Sequence, residues 1–121
     1  MDPRQKLPDA SHPITVTPTG KRVVVELDGT VIADTTEALT LQESTYPAVQ
    51  YLPVSAVDAA VLHGSEHHTY CPFKGEADYF DLGRDGELEN SVWIYRAPYD
   101  AVAEIKDHVA FYPDKVTITI G

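Results

Sequence analysis

The sequence predicts a mainly β domain in which two antiparallel sheets pack face to face, with two short helices between strands. Asp28-Gly29 separates two stretches rich in β-branched residues, and this dipeptide is a strong hairpin signal because the tight turn requires positive φ. Near the C-terminus Val116, Ile118 and Ile120 alternate with threonines, which is the period-two pattern of a half-buried strand. The candidate strands are short and closely spaced, without alternation of strand and helix, and this favours antiparallel sheets.

The first thirteen residues are predicted to form an extended arm, and residues 14 to 121 a single β-rich domain. The arm contains three prolines and no periodic apolar pattern. Residues 14 to 17 are predicted to form a short edge strand, because prolines bracket them and proline cannot donate a hydrogen bond to a neighbouring strand.

The remaining strands are predicted where β-branched and aromatic residues form short runs between turn residues. Ser55 caps a predicted helix over residues 55 to 62, and Asp58 completes a capping-box pattern. Asp100 caps a second predicted helix over residues 101 to 106. The further strand candidates cover residues 22 to 27, 30 to 34, 37 to 42, 49 to 52, 66 to 71, 77 to 82, 91 to 97, 108 to 112 and 116 to 120.

Composition excludes several classes of partner. The net charge of −10 argues against nucleic acid, whose phosphates require a basic surface, and against anionic membrane surfaces. No apolar run approaches the ~20 residues that cross a bilayer, and no secretory signal is visible. We therefore expect an acidic, soluble, cytoplasmic protein of bacterial type, with its oligomeric state open. A single cysteine excludes an internal disulfide and a cysteine-rich zinc site, and we expect no metal and no cofactor.

Residues 69 to 81, which read TYCPFKGEADYFD, are the segment most informative about function. The only cysteine, Cys71, lies three residues before Lys74. Pro72 suits the second position of a type I turn, which brings the first and fourth Cα atoms within ~7 Å. A lysine ammonium that close favours the reactive thiolate. The alternative is a buried structural cysteine beside a surface lysine, since free cysteine is often buried.

Three histidines, His63, His67 and His68, precede the cysteine. His67 would share a strand face with Cys71, which is compatible with a Cys–His pair for nucleophilic catalysis. A metal site needs three or four convergent ligands, and no second cluster is visible.

Glu43 is the third candidate catalytic residue beside Cys71 and Lys74. It lies among strand residues, where it can act as a general base or form a structural ion pair with Lys74 or Arg96.

Aromatic residues are dense for so small a chain. Trp93 and Tyr95 share one predicted strand face, and Tyr79 can pair across from them. An aromatic-walled pocket and an ordinary sheet core are both compatible with this pattern. Because tyrosine hydroxyls need a polar partner or water, some of them are expected at a pocket rim. The candidate ligand-binding residues are Cys71, Lys74, Tyr79, Trp93, Tyr95, Tyr51 and Tyr112.

Several motifs together resemble a known family. They are Thr69-x-Cys71-Pro72-x-Lys74-Gly75-x-Ala77-x-Tyr79, Trp93-x-Tyr95-x-x-Pro98, Val109-Ala110-Phe111-Tyr112-x-Asp114-x-Val116, Glu43-x-x-x-Pro47-x-x-x-Tyr51-x-Pro53 and His12-Pro13-Ile14. Over roughly residues 12 to 120 the chain resembles the domain-of-unknown-function family numbered 427. The resemblance implies a small tent-like fold with a pocket between antiparallel sheets, a mostly bacterial distribution and an uncharacterised function.

The family is sometimes labelled nucleotidyltransferase-like, and the residues do not support that chemistry. Such enzymes pair aspartates to hold two metal ions, whereas Asp78 and Asp81 are three residues apart and point to opposite faces of a strand. The chain also lacks a glycine-rich phosphate loop.

The sequence thus predicts a domain that binds an unknown small molecule in an aromatic-lined pocket around the Cys-Pro-x-Lys-Gly segment. One alternative is an enzyme in which Cys71 is a nucleophile activated by Lys74 or a histidine. A second is a protein-interaction module that uses an exposed sheet edge, with the N-terminal arm as docking element or as cover.

Overall fold

The computed structural model describes residues 2–121, which form one seven-stranded and one three-stranded antiparallel sheet. The predicted fold class is confirmed. The larger sheet has the order β1-β4-β5-β9-β8-β7-β6 and the smaller β10-β2-β3. The strands are β1 Ile14–Pro18, β2 Val23–Leu27, β3 Thr30–Thr35, β4 Leu39–Glu43, β5 Val49–Pro53, β6 Leu62–Cys71, β7 Gly75–Leu82, β8 Leu88–Ile94, β9 His108–Phe111 and β10 Thr117–Ile120.

Two local predictions are confirmed. Asp28 and Gly29 join β2 to β3 with φ values of 50° and 81°, as the tight hairpin turn requires. Strand β1 lies at an edge of the larger sheet and pairs with β4, which agrees with its flanking prolines.

The two faces of the larger sheet have different roles. Side chains that alternate along its strands, such as Val92 and Ile94 of β8, face the smaller sheet and pack against Val23 and Val25 of β2. Trp93, which lies between Val92 and Ile94 in the chain, points to the opposite face, where an aromatic cluster forms. The period of two along each strand therefore separates the core between the sheets from the candidate site.

The segment predicted as a first helix consists of two 3₁₀ turns instead, Val54–Ala56 and Ala59–Val61. Val57 between them is extended, with φ −100° and ψ 139°. The Asp58 N–H donates to the Ile32 carbonyl at 2.8 Å, so a contact with β3 replaces a helical hydrogen bond. Asp58 rather than Ser55 provides the cap, because its carboxylate accepts from the Ala60 N–H.

The second predicted helix is also a 3₁₀ segment, Asp100–Ile105, broken at Val102 by φ −130° and ψ 30°. Tyr99 precedes it and no side chain caps it. Val102 and Ile105 are fully buried against the aromatic face of the larger sheet. The burial of these two side chains anchors the segment, together with hydrogen bonds from the Val102 N–H to the Tyr99 carbonyl and from the Lys106 N–H to the Ala103 carbonyl.

The larger sheet is split at its centre. Only two residue pairs, Leu52–Val109 and Pro53–His108, join β5 to β9 in the described chain. The earlier part of β5 pairs with β4 instead, from Leu39–Tyr51 onward. The split opens beside the aromatic cluster and positions the candidate site.

The described part of the arm lies along the turn between β6 and β7. The Lys6 N–H donates to the Pro72 carbonyl at 2.9 Å. The Arg4 guanidinium lies 3.7 Å above the Tyr70 ring. The division into arm and domain stays a prediction. None of the helical segments within residues 2–121 has the length and apolar character to cross a bilayer.

Candidate functional site

A cavity of about 240 Å³ opens on the aromatic face of the larger sheet beside the split. Of the predicted ligand-binding residues, only Cys71 does not line it. The lining residues that the sequence predicted are Glu43, Tyr51, Lys74, Tyr79, Trp93, Tyr95 and Tyr112. Those that it missed are Leu41, Tyr46, Pro47 and Val49.

The turn that carries Lys74 has the predicted geometry. The Lys74 N–H donates to the Cys71 carbonyl at 3.2 Å, which closes a four-residue turn with Pro72 in its second position. Gly75 follows with φ 108°, a conformation that side chains with a Cβ rarely adopt. This local geometry directs the Lys74 side chain toward β4.

Lys74 meets Glu43, the last residue of β4. The Lys74 ammonium donates a hydrogen bond to Oε1 of Glu43, and the two side chains are 11% and 14% exposed. The other carboxylate oxygen accepts from Nε2 of His12 at 2.7 Å. Glu43 is thus the centre of a three-residue polar network that brings together the arm, β4 and the β6–β7 turn.

The carboxylate of Glu43 is held ionised. Burial acts to raise its pKa, but the hydrogen bonds from Lys74 and His12 outweigh burial and leave the pKa below its ordinary value. At neutral pH the ammonium and the carboxylate therefore compensate each other. A protonated acid at Glu43 is not available for catalysis in this arrangement.

Cys71 lies behind Lys74 rather than in the cavity wall. Its sulfur is 3.8 Å from the Lys74 ammonium nitrogen, so the predicted approach of these two side chains is present. The predicted Cys–His pair has no hydrogen bond in the described residues. His63 contacts the Gly83 carbonyl, and the His67 ring lies against the Tyr79 ring with centroids 4.6 Å apart.

The cavity wall is a set of interlocked aromatic rings. Nε1 of Trp93 donates to the Tyr51 hydroxyl at 3.1 Å, across the split. The Tyr112 ring lies 4.8 Å from the Trp93 ring. Tyr79 is the cross-strand partner of Trp93, as predicted, and its hydroxyl is 3.0 Å from Oγ1 of Thr69. These contacts fix the rings without a ligand.

Tyr95 differs from the other buried tyrosines of the wall. It is only 6% exposed, and within residues 2–121 its hydroxyl has no hydrogen-bond partner. Every fully buried side-chain polar atom in that range has a partner, so the Tyr95 hydroxyl is accessible to solvent, and the residue lines the cavity. Burial raises the pKa of Tyr95 above its ordinary value. The hydroxyl is therefore a protonated donor and acceptor directed at whatever fills the cavity.

Metal chemistry finds no support in the described part of the chain. No three His, Cys, Asp or Glu side chains come together there in a way that would hold an ion. Asp78 pairs with His68 and Arg96, while Asp81 accepts from the Asn90 N–H. The two aspartates predicted to diverge therefore have separate partners.

The sequence did not predict that His12 contacts the candidate site. It is 31 positions from Glu43, and no periodic pattern links an arm residue to the end of a strand. The one available signal is that both occur in the family motifs given above.

A protein-family model described as a domain of unknown function (DUF427) matches residues 15–120. A search of curated proteins finds no match.

Proposed function

The chain belongs to the family of domains of unknown function numbered 427, and we propose that it binds a small, flat, uncharged organic molecule in the aromatic cavity. The observation that carries this proposal is Tyr95, a residue only 6% exposed that lines the cavity and whose accessible hydroxyl has no protein hydrogen-bond partner within residues 2–121. A ligand atom that hydrogen-bonds to this hydroxyl in place of water contributes about 0.5–1.5 kcal/mol.

The charges around the cavity favour an uncharged ligand. Lys74 and Glu43 neutralise each other, so neither a cation nor an anion finds an unpaired counter-charge there. The remaining polar groups are tyrosine hydroxyls, which bind carbonyl, amide or hydroxyl groups equally well.

The shape of the cavity favours a ring system. Its lining includes the aromatic side chains of Trp93, Tyr51, Tyr79 and Tyr112, and aromatic side chains form favourable offset-stacked or edge-to-face contacts with another ring. A volume of about 240 Å³ lies just below the range of ~300–1,000 Å³ typical of drug-sized ligands. One ring or two fused rings bearing a carbonyl or amide fit these limits.

The test is a thermal-shift screen of uncharged aromatic amides and ketones, because a compound that binds the native state raises the melting temperature. Tyr95→Phe should lose most of the ligand-induced shift while its own melting temperature stays unchanged, since the hydroxyl makes no protein hydrogen bond within residues 2–121. Tyr99→Phe is the matched control, because the Tyr99 hydroxyl contacts Tyr70 outside the cavity. The proposal fails if no compound shifts the native chain more than it shifts Tyr95→Phe.

The contact between Cys71 and Lys74 supports a second candidate, nucleophilic catalysis by Cys71. The 3.8 Å separation of sulfur and ammonium nitrogen would stabilise a thiolate. This candidate expects rapid alkylation of native Cys71 by iodoacetamide at neutral pH, slowed in Lys74→Met. Alkylation that begins only after unfolding in urea would exclude it.

A further inference from the structure

We infer that the ligand is amphipathic, with a flat polar head in the aromatic cavity and an apolar tail that passes through the sheet split into a second groove. This inference rests on the proposed function and adds the chemical class of the ligand. It follows from the position, the lining, the exposure and the volume of the second groove.

The groove has about 330 Å³ of open space and shares three wall residues with the cavity, Pro47, Val49 and Trp93. Pro47 lies just before β5 and Val49 at its start, where it is not paired with β9, and Trp93 lies on β8 beyond β9. The groove also includes Phe111, which faces the smaller sheet, so it lies on the other side of the larger sheet from the Tyr95 hydroxyl. Cavity and groove therefore adjoin at these three shared residues, and Trp93 lines both spaces.

The lining of the groove is apolar. It includes Phe111, Pro113, Ile118 and Ile120, and no charged side chain contributes, although the chain has a net charge of −10. The amide of Gln50, the polar side chain in the wall, is already hydrogen-bonded to Thr40. With no free polar partner for a peptide or a sugar, this lining fits a hydrocarbon chain.

The exposure of apolar side chains at the two spaces also favours a hydrocarbon chain as the occupant. Ile120 is 47% exposed at the groove and Tyr112 is 39% exposed at the cavity. Covering these surfaces with a hydrocarbon removes apolar area from water, which is favourable in proportion to the area. Together with the limited volume of the groove, this favours a short alkyl tail over a second protein chain.

The test uses 4-alkylbenzamides, whose para chain is lengthened from none to heptyl. Binding is followed by the fluorescence of Trp93, the one tryptophan of the chain. We expect the dissociation constant to fall about threefold to fourfold for each added methylene, until the groove is filled. The indole emission should shift with tail length, because Trp93 borders both spaces.

Ile120→Ser should weaken the dependence of the dissociation constant on the length of the alkyl chain, while the affinity for unsubstituted benzamide stays unchanged. Val31→Ser is the matched control, because Val31 is 51% exposed and lines neither space. Affinity independent of chain length, or the same dependence in Ile120→Ser as in the native chain, would overturn the inference.

The two proposals fail in different ways. If benzamide binds but longer chains add nothing, the proposed function survives and the amphipathic ligand is rejected. If neither benzamide nor any 4-alkylbenzamide binds, the amphipathic ligand is rejected, and the proposed function is rejected with it only when the thermal-shift screen of amides and ketones also finds no compound.

Discussion

Replacing Lys74 by methionine should destabilise the fold by removing one partner of a largely buried ion pair. The substitution keeps most of the side-chain length and volume, so packing changes little. It leaves the Glu43 carboxylate, which is 14% exposed, with His12 as its remaining hydrogen-bond partner. The loss in the free energy of unfolding therefore measures the electrostatic contribution of the ion pair and not the effect of a packing defect.

The magnitude follows from burial and from the remaining contact. Removing one member of a fully buried pair costs about 3–5 kcal/mol. Because both side chains retain some exposure and His12 still donates to Glu43, we expect about 2–3 kcal/mol. Glu43→Gln should cost a similar amount, since the amide oxygen can still accept a hydrogen bond but no longer compensates the charge of the ammonium. The double variant should be destabilised by no more than about 2–3 kcal/mol, because each single change already abolishes the pair.

Urea unfolding at neutral pH measures these differences, provided that the m-value stays constant. Lys115→Met is the control, because the Lys115 amine lies 3.8 Å from Asp114 in a largely exposed pair, and surface pairs contribute less than about 1 kcal/mol. Additive losses in the double variant, or a Lys74→Met cost no larger than that of the control, would refute the reasoning.

Three further predictions concern pH, the aromatic wall and the arm. The folded-state pKa of Glu43 is below its ordinary value, so its stabilisation is present above the unfolded pKa and lost on acidification. The stability gap between the native chain and Glu43→Gln should therefore shrink in urea titrations as the pH falls below about 5, and close once the pH is below the lowered folded-state pKa of Glu43; a constant gap would contradict this. Tyr51→Phe leaves the Trp93 N–H without its acceptor and should cost about 1 kcal/mol with a shift in tryptophan emission; unchanged emission would argue against the hydrogen bond. Deleting residues 2–12 should lower the melting temperature by several degrees without loss of β circular dichroism, because His12 no longer supports Glu43; an unchanged temperature would mean that the arm adds nothing.

The parts of the site that the sequence predicted depend on short-range geometry. Pro72 and Gly75 determine the turn that brings Lys74 back beside Cys71, and such turns follow from φ preferences alone. The pairing of Tyr79 with Trp93 follows from the period of two in neighbouring strands. In both cases neighbouring residues contain the necessary information.

The features of the fold and the site that the sequence did not predict depend on contacts between residues distant in the chain. The predicted first helix became two turns, because the Asp58 N–H bonds to Ile32 of another strand, and tertiary contacts outweigh weak helix propensity. The partner choice of Glu43 and the split beside Tyr51 depend on how β4, β5 and β9 meet. Neither has a local sequence pattern, and His12 lies far from Glu43 in the chain.

The split also has a mechanical consequence. The Leu52–Val109 and Pro53–His108 pairs between β5 and β9 are the fewest that join any two neighbouring strands of the larger sheet in the described chain. Glu43 and Tyr51 lie on one side of this junction, and their partners Lys74 and Trp93 lie on the other. These two side-chain contacts therefore add to the few backbone pairs that connect the two parts of the sheet. Amide exchange in β5 and β9 should accelerate when either contact is removed.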